Sequence, residues 1–218
     1  MKDKIKIDIV SDVVCPWCII GYKRLEKAII EMGIEDQVTI EWQPFELNPY
    51  MPKEGQDLRE HISEKYGSNE QQQDESQQRM TQAGAELDFA FNYNQEMRMV
   101  NTFEAHVLLD YAAQFGKQTE LNLALIAFFF TDQKDVSNRE VLREAMLKVG
   151  LNADEGLSKL DDKTVEKDVR DKQQYWKDMG VNSVPTVVFN RKSAVTGAQP
   201  VDTFKNILKE LLDSQTTV

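Results

Sequence analysis

The chain's two cysteines sit together in Cys15-Pro16-Trp17-Cys18, where one periodicity gives way to another. On the N-terminal side Ile5, Ile7 and Ile9 alternate with Lys6 and Asp8 and lead into Val10, the pattern of a strand. On the C-terminal side Ile19, Ile20, Leu25, Ala28, Ile29 and Met32 recur at helical spacing, and Gly33 supplies a stop. The motif therefore occupies a strand-to-helix junction. Cys15 stands just before the helix and Pro16 in its first turn, where a missing N–H loses no intrahelical bond.

That placement bears on sulfur chemistry. The thiolate is the nucleophile, and a free cysteine with a pKa of about 8.5 is mostly protonated at neutral pH. A helix N-terminus offers unpaired N–H donors and the positive end of the helix dipole, so Cys15 is expected to be stabilised as a thiolate. Cys18, one turn inside, is near enough to close a short disulfide ring. The expected division of labour is attack by Cys15 on a substrate sulfur and release by Cys18. Two other readings of the pair are zinc binding and inert packing. Zinc would need further ligands, and the histidines, His61 and His106, lie far from the pair in sequence. Inert packing gives no reason for Pro-Trp between cysteines at such a junction.

With 218 residues the chain can bury a core without disulfide staples. Its 37 acidic against 26 basic residues, a formal charge of -11, oppose binding to phosphate backbones or anionic lipid. No nucleic acid or membrane partner is expected. The longest apolar stretch, Leu123 to Phe130, is too short to span a bilayer. Met1 to Asp8 alternates charged and apolar residues, unlike the continuous core of a signal peptide. The expected compartment is a reducing cytoplasm, where a cysteine pair is more commonly catalytic or metal-binding than structural.

A second segment, Gly180 to Asn190, contains Val184-Pro185 followed by the strand-like Thr186 to Phe189. Asn190-Arg191-Lys192 makes a turn, and Ala194 to Thr196 a return strand closed by Gly197. A helix follows from Pro200 or Val201 to about Asp213, with Phe204, Ile207, Leu208, Leu211 and Leu212 on its apolar face. Read locally, Pro185 is a plain strand opener.

Together these features resemble the thioredoxin superfamily, and more narrowly the DsbA-like family in its FrnE-type branch. The resemblance extends through Trp42 to Pro49, Asn101 to His106, Phe128 to Thr131 with Val136-Ser137 and Val149 to Leu151, and Gly180-Val181 to Pro200. It implies an α/β thioredoxin-like fold with a large helical insertion. Residues 1–50 and 180–218 would form the thioredoxin-like domain and 51–179 the inserted one. It further implies that Pro185 is cis and lies against the cysteine pair, with the Val184 backbone offered to an extended substrate segment. Pro16 and Trp17 would tune the site and contact substrate. The implied function is thiol–disulfide exchange on disulfide-containing proteins or small thiols. No bound cofactor is implied, and glutathione stays open as reductant or co-substrate. The same architecture is similar to kappa-class glutathione transferases and 2-hydroxychromene-2-carboxylate isomerases. Those carry serine where Cys15 stands and tend to have an acid near the start of the last helix. Here Gly197-Ala198-Gln199 has none.

Between the two halves, Val38 to Leu47 contains a second strand with Ile40, Trp42 and Phe45 as core candidates. Helices are expected over Asp57–Tyr66, Glu70–Glu86, from an N-cap at Asn101, over Thr119–Phe130, from a cap at Ser137 to Val149, and over Asp162–Met179. The Gln71 to Gln78 run reads as a solvated helix face, His61 as a surface residue and His106 as a structural histidine. Asp12 reads as a turn or helix-entry residue that could also influence Cys15. Phe89, Phe91 and Tyr93 read as core residues, some of which could line a groove facing Cys15. Trp17 should be partly exposed.

Overall fold

The computed structural model describes residues 4–216, so Met1–Asp3 of the alternating N-terminal run lie outside the described residues. In chain order the elements are β1 (Ile5–Ser11), α1 (Pro16–Met32), β2 (Val38–Pro44), β3 (Gln56–Asp57), α2 (Leu58–Tyr66), α3 (Glu70–Ala85), β4 (Arg98–Met99) and α4 (Phe103–Ala113). There follow α5 (Gln118–Phe130), α6 (Arg139–Lys148), α7 (Ala153–Ser158), α8 (Lys163–Asp178), β5 (Thr186–Phe189), β6 (Ser193–Thr196) and α9 (Val201–Thr216).

The main sheet has the order β2-β1-β5-β6. β1 pairs parallel with β2, from Ile5 opposite Val38 to Ser11 opposite Pro44, and antiparallel with β5. As a central strand it is covered on both faces, which is why even its outward-alternating Asp8 is buried. That carboxylate accepts a 2.7 Å hydrogen bond from Gln43 and has Arg191 at 3.5 Å. The β5–β6 hairpin turns on Asn190 and Arg191, both at positive φ, a conformation whose twist suits a tight hairpin. The Asn190 side chain accepts from the Lys6 N–H at 2.8 Å and so locks the turn to β1.

One apolar core runs from Ile5, Ile7 and Ile9 through Leu108, Leu125 and Phe128 to Phe204 and Leu208. Phe189 and Phe204 are wholly removed from water, worth about 1.5–3 kcal/mol each. α1 ends at Gly33 in the left-handed region and packs against α9. A ladder of two residues, Gln56 opposite Met99 and Asp57 opposite Arg98, ties the entry of α2 to that of α4.

Several boundaries differ from expectation. The second strand ends at Pro44, although the Phe45 N–H still donates to the Ser11 carbonyl at 3.2 Å. Asn101 is not the cap of α4: its side chain accepts from the Phe103 N–H two residues on, and Thr102 takes the cap position. Ser137 does not open α6 either, because its hydroxyl donates to Asp135 while Asn138 caps Glu140. The short α7 was not foreseen; Asn152 caps it by accepting from the Glu155 N–H.

Candidate active site

Cys15 is the last extended residue before α1, at φ -95 and ψ 110. Its N–H donates to the Asp12 carbonyl and its own carbonyl accepts from the Cys18 N–H, both at 3.1 Å. These bonds fold the Asp12–Cys18 stretch into a tight hook that holds the sulfur of Cys15 at the helix mouth. Both cysteines are free thiols and both are buried, Cys18 completely and Cys15 with 4% of its surface exposed. Trp17, beside them, is 39% exposed as expected.

Opposite the dithiol, the Val184–Pro185 peptide bond is cis. The Val184 carbonyl lies 3.9 Å from the Cys15 sulfur, and the Pro185 carbonyl accepts from the Gly197 N–H at 2.7 Å. Gly21 on α1 permits this approach, since a Cβ there would stand 3.2 Å from the Pro185 ring and 3.4 Å from the Ala198 backbone. Four residues singled out from sequence, Cys15, Cys18, Val184 and Pro185, thus converge on one place. Pro16 and Trp17 flank it.

The Cys15 sulfur opens into a cavity of about 760 Å³. Its apolar wall includes Leu58, Met80, Met99, Phe129 and Phe130, and its roof is the α2–α3 pair. Here three sequence readings change. The glutamine-rich run is not simply a solvated face: Gln72, Gln73 and Gln77 line the cavity. Gln73 is buried and donates to the Arg59 and Ser68 carbonyls, both at 3.2 Å. His61 is not a plain surface residue; it lines the same cavity between Gln56 and Asn48, at 2.9 and 3.0 Å. Burial, with Lys65 beside it, pushes the His61 imidazole down. Of the aromatic group, Tyr93 reaches the cavity while Phe91 packs into the core.

The roof is held firmly for so polar a pair of helices. Asn69 and Gln72 form a reciprocal cap at the start of α3, both bonds 3.0 Å. Arg59 of α2 pairs with Asp74 of α3 at 2.6 Å. Lys65, Tyr66 and Arg79 also face the cavity, and sequence reasoning missed all three.

Burial pushes the Cys15 thiol well up, and the adjacent Cys18 sulfur and the Asp12 charge push the same way. The Cys18 N–H at the helix start acts downward and is outweighed. Burial therefore opposes the pull of the helix terminus on the Cys15 sulfur. Asp12 is itself fully buried. Its carboxylate accepts from the Leu47 N–H at 2.8 Å and lies 3.3 Å from His106 Nε2. That nitrogen also lies 3.1 Å from the Phe45 carbonyl, which can only accept, so His106 donates there. The reading of His106 as structural agrees with this burial. Asp12 is more than a turn former, since it ties the approach to Cys15 onto the Phe45–Leu47 segment.

Among the described residues, no cluster of three or more His, Cys, Asp or Glu side chains is placed to hold a metal ion. No helix among them is long and apolar enough to cross a membrane.

A dithiol at the head of the first helix, faced by a cis-proline loop and carried on a β2-β1-β5-β6 sheet, is the arrangement of a thioredoxin-fold protein. The model of the DSBA-like thioredoxin domain matches residues 6–209, and the chain belongs to that family. It is 25% identical over 207 residues to the uncharacterized protein YwbO of Bacillus subtilis, covering 94% of this chain and 96% of that one. The solved structure of SCO1869, a probable DsbA oxidoreductase from Streptomyces coelicolor, is similar with a TM-score of 0.88. Its identity is 29%, over 94% of this chain and 89% of that one. The cytosolic disulfide reductase DsbM from Pseudomonas aeruginosa, solved with GSH, shares the fold with a TM-score of 0.66. Identity there is 15%, over 95% of this chain and 99% of that one.

Proposed function

We propose that this protein is a cytoplasmic thiol–disulfide oxidoreductase working in the reducing direction, with Cys15 as nucleophile and Cys18 as resolving thiol. The observation that carries the reading is the position of Cys15: first before α1, open to a cleft, and faced by the Val184 carbonyl at 3.9 Å. Cys15 attacks one sulfur of a substrate disulfide and expels the other as a thiol. Cys18 then attacks the Cys15 sulfur, releases the second thiol and leaves the Cys15–Cys18 disulfide. Pro16 and Trp17 shape the approach, and the Val184 backbone with Pro185 steadies the bound substrate. Residues 1–50 with 180–218 supply this chemistry, and 51–179 shape the cleft above it.

The direction proposed rests on the compartment, since a reducing cytoplasm favours reduction of disulfides over their formation. Burial, which raises the Cys15 thiol above its ordinary value, is in keeping with it. Regeneration needs a second thiol source, and the likeness to DsbM, solved with GSH, favours glutathione for that part. The intact dithiol favours this reading over a glutathione-dependent isomerase or transferase.

Two measurements test it. Reduction of insulin or of a small disulfide should vanish in Cys15→Ser, and equal activity in both proteins would overturn the reading. Redox titration should place the Cys15–Cys18 couple at or below the thioredoxin potential of about -270 mV, and a value near the -120 mV of DsbA would reverse the direction.

A further inference from the structure

The cleft's charge runs against that of the molecule. In a chain of formal charge -11, its charged lining residues are Lys65, Arg79 and Glu75, so cations outnumber carboxylates. Glu75 is already engaged as acceptor for the Gln71 amide at 3.0 Å. Lys65 donates to the Leu47 carbonyl and Asn48 Oδ1 at 2.8 and 2.7 Å, which orients its ammonium and leaves one of its three protons for a ligand. Arg79 is exposed on α3, and its planar fork suits a carboxylate. Below them, Met80, Phe129 and Phe130 offer an apolar bed.

The size of the cleft suits a small ligand. At about 760 Å³ it falls within the range of small-molecule sites, roughly 300–1,000 Å³. Cys15 is almost wholly buried beneath a roof pinned by the α3 cap and the Arg59–Asp74 pair.

We propose that the cleft selects a low-molecular-weight disulfide carrying a negative charge, held by Arg79 and Lys65 while one of its sulfurs meets Cys15. The inference rests on the thiol-exchange reading above and names its substrate class. The reaction is R–S–S–R plus the Cys15–Cys18 dithiol giving two R–SH and the Cys15–Cys18 disulfide. Two electrons and two protons pass from protein to substrate, and no other reactant is needed.

The test is a single turnover of the reduced full-length protein with three disulfides of similar size. They are 3,3′-dithiodipropionate (anionic), 2-hydroxyethyl disulfide (neutral) and cystamine (cationic). Protein oxidation is followed by acid quench, alkylation and mass, and each rate is divided by that of free dithiothreitol with the same disulfide. The normalised anionic-to-neutral ratio should be about tenfold, the worth of one charge-assisted contact. Arg79→Gln and Lys65→Met should each lower it, and Arg79→Glu should shift preference toward cystamine. Lys209→Gln on α9 serves as the control and should keep the wild-type ratio. A wild-type ratio of one, or a ratio that R79Q and K65M leave unmoved, overturns the proposal. Faster oxidation by insulin than by any of the three overturns it in favour of a polypeptide substrate. If neither insulin nor any of these disulfides oxidises the reduced protein, the thiol-exchange reading itself fails. Should K65M misfold, the surface variants R79Q and R79E still decide.

Discussion

Replacing His106 by leucine tests whether the buried polar cluster behind Cys15 is a structural necessity. Leucine has a comparable volume, so the change removes polar contacts without opening a large hole. It deletes the Nε2–H that serves the Phe45 carbonyl at 3.1 Å, and leaving a buried carbonyl unmet costs about 1–3 kcal/mol. It also removes the ring 3.3 Å from Asp12 Oδ1, a buried oxygen with no hydrogen bond among the described residues. Removing the polar group beside that oxygen costs a similar amount, more for a charged group. The two losses share one nitrogen and do not add fully, so the total should stay at about 2–4 kcal/mol, a large part of a domain's usual 5–15. Urea unfolding measures this, through the midpoint at constant slope. The partner change is Asp12→Asn, which withdraws the buried charge. In that background His106→Leu should cost less, with a coupling of about 2 kcal/mol. A loss below about 1 kcal/mol for His106→Leu, or a coupling near zero, would refute the assignment of Asp12 and His106 as an interdependent pair.

Two further changes probe the same scaffold. Burial holds the Glu46 carboxyl above its ordinary value, against the pull of His106, Gln173 and Arg170. The folded state thus binds that proton more readily than the unfolded chain, and stability falls as pH rises through the carboxylate range. Glu46→Gln should therefore be more stable than wild type at pH 7 and converge with it near pH 4 in paired denaturation curves; a less stable variant at pH 7 would overturn this. In Gly84→Ala the new Cβ would stand 2.6 Å from the Phe91 ring and 2.7 Å from the Phe89 carbonyl. Overpacking of about 1–3 kcal/mol should exceed alanine's helical gain of about 1 kcal/mol, lowering the melting temperature, and a raised one would show that the roof yields.

What could be read from the sequence was the part written locally. Ile5 to Val10, the Cys15–Cys18 motif and the helix to Gly33 follow one another along the chain, and each has its own periodicity or breaker. The hairpin from Thr186 to Thr196 was equally plain, because Asn190 marks its turn. Capping was legible only to within a residue or two: Asn101 and Asn138 are both good caps, but Asn101 spends its side chain on an Asx-type turn. Illegible were features that need two distant segments to meet. The ladder of β3 with β4 is too short to carry a pattern, and nothing in Gln71 to Gln78 announces that the run faces a sulfur at position 15.

Burial of Cys15 bears on rate as well. By raising the thiol above its ordinary value it disfavours the thiolate, which by itself slows attack. A less acidic thiol is intrinsically more nucleophilic, however, with a Brønsted coefficient of about 0.4–0.5, so only part of the rate is lost. An anionic substrate adds a second difficulty, since its carboxylate and a forming thiolate repel each other in a space that water screens poorly. Lys65 and Arg79 line the same cleft as Cys15, on α2 and α3. Removing these cations should therefore impair anionic disulfides at the chemical step as well as at binding, and leave neutral disulfides unchanged.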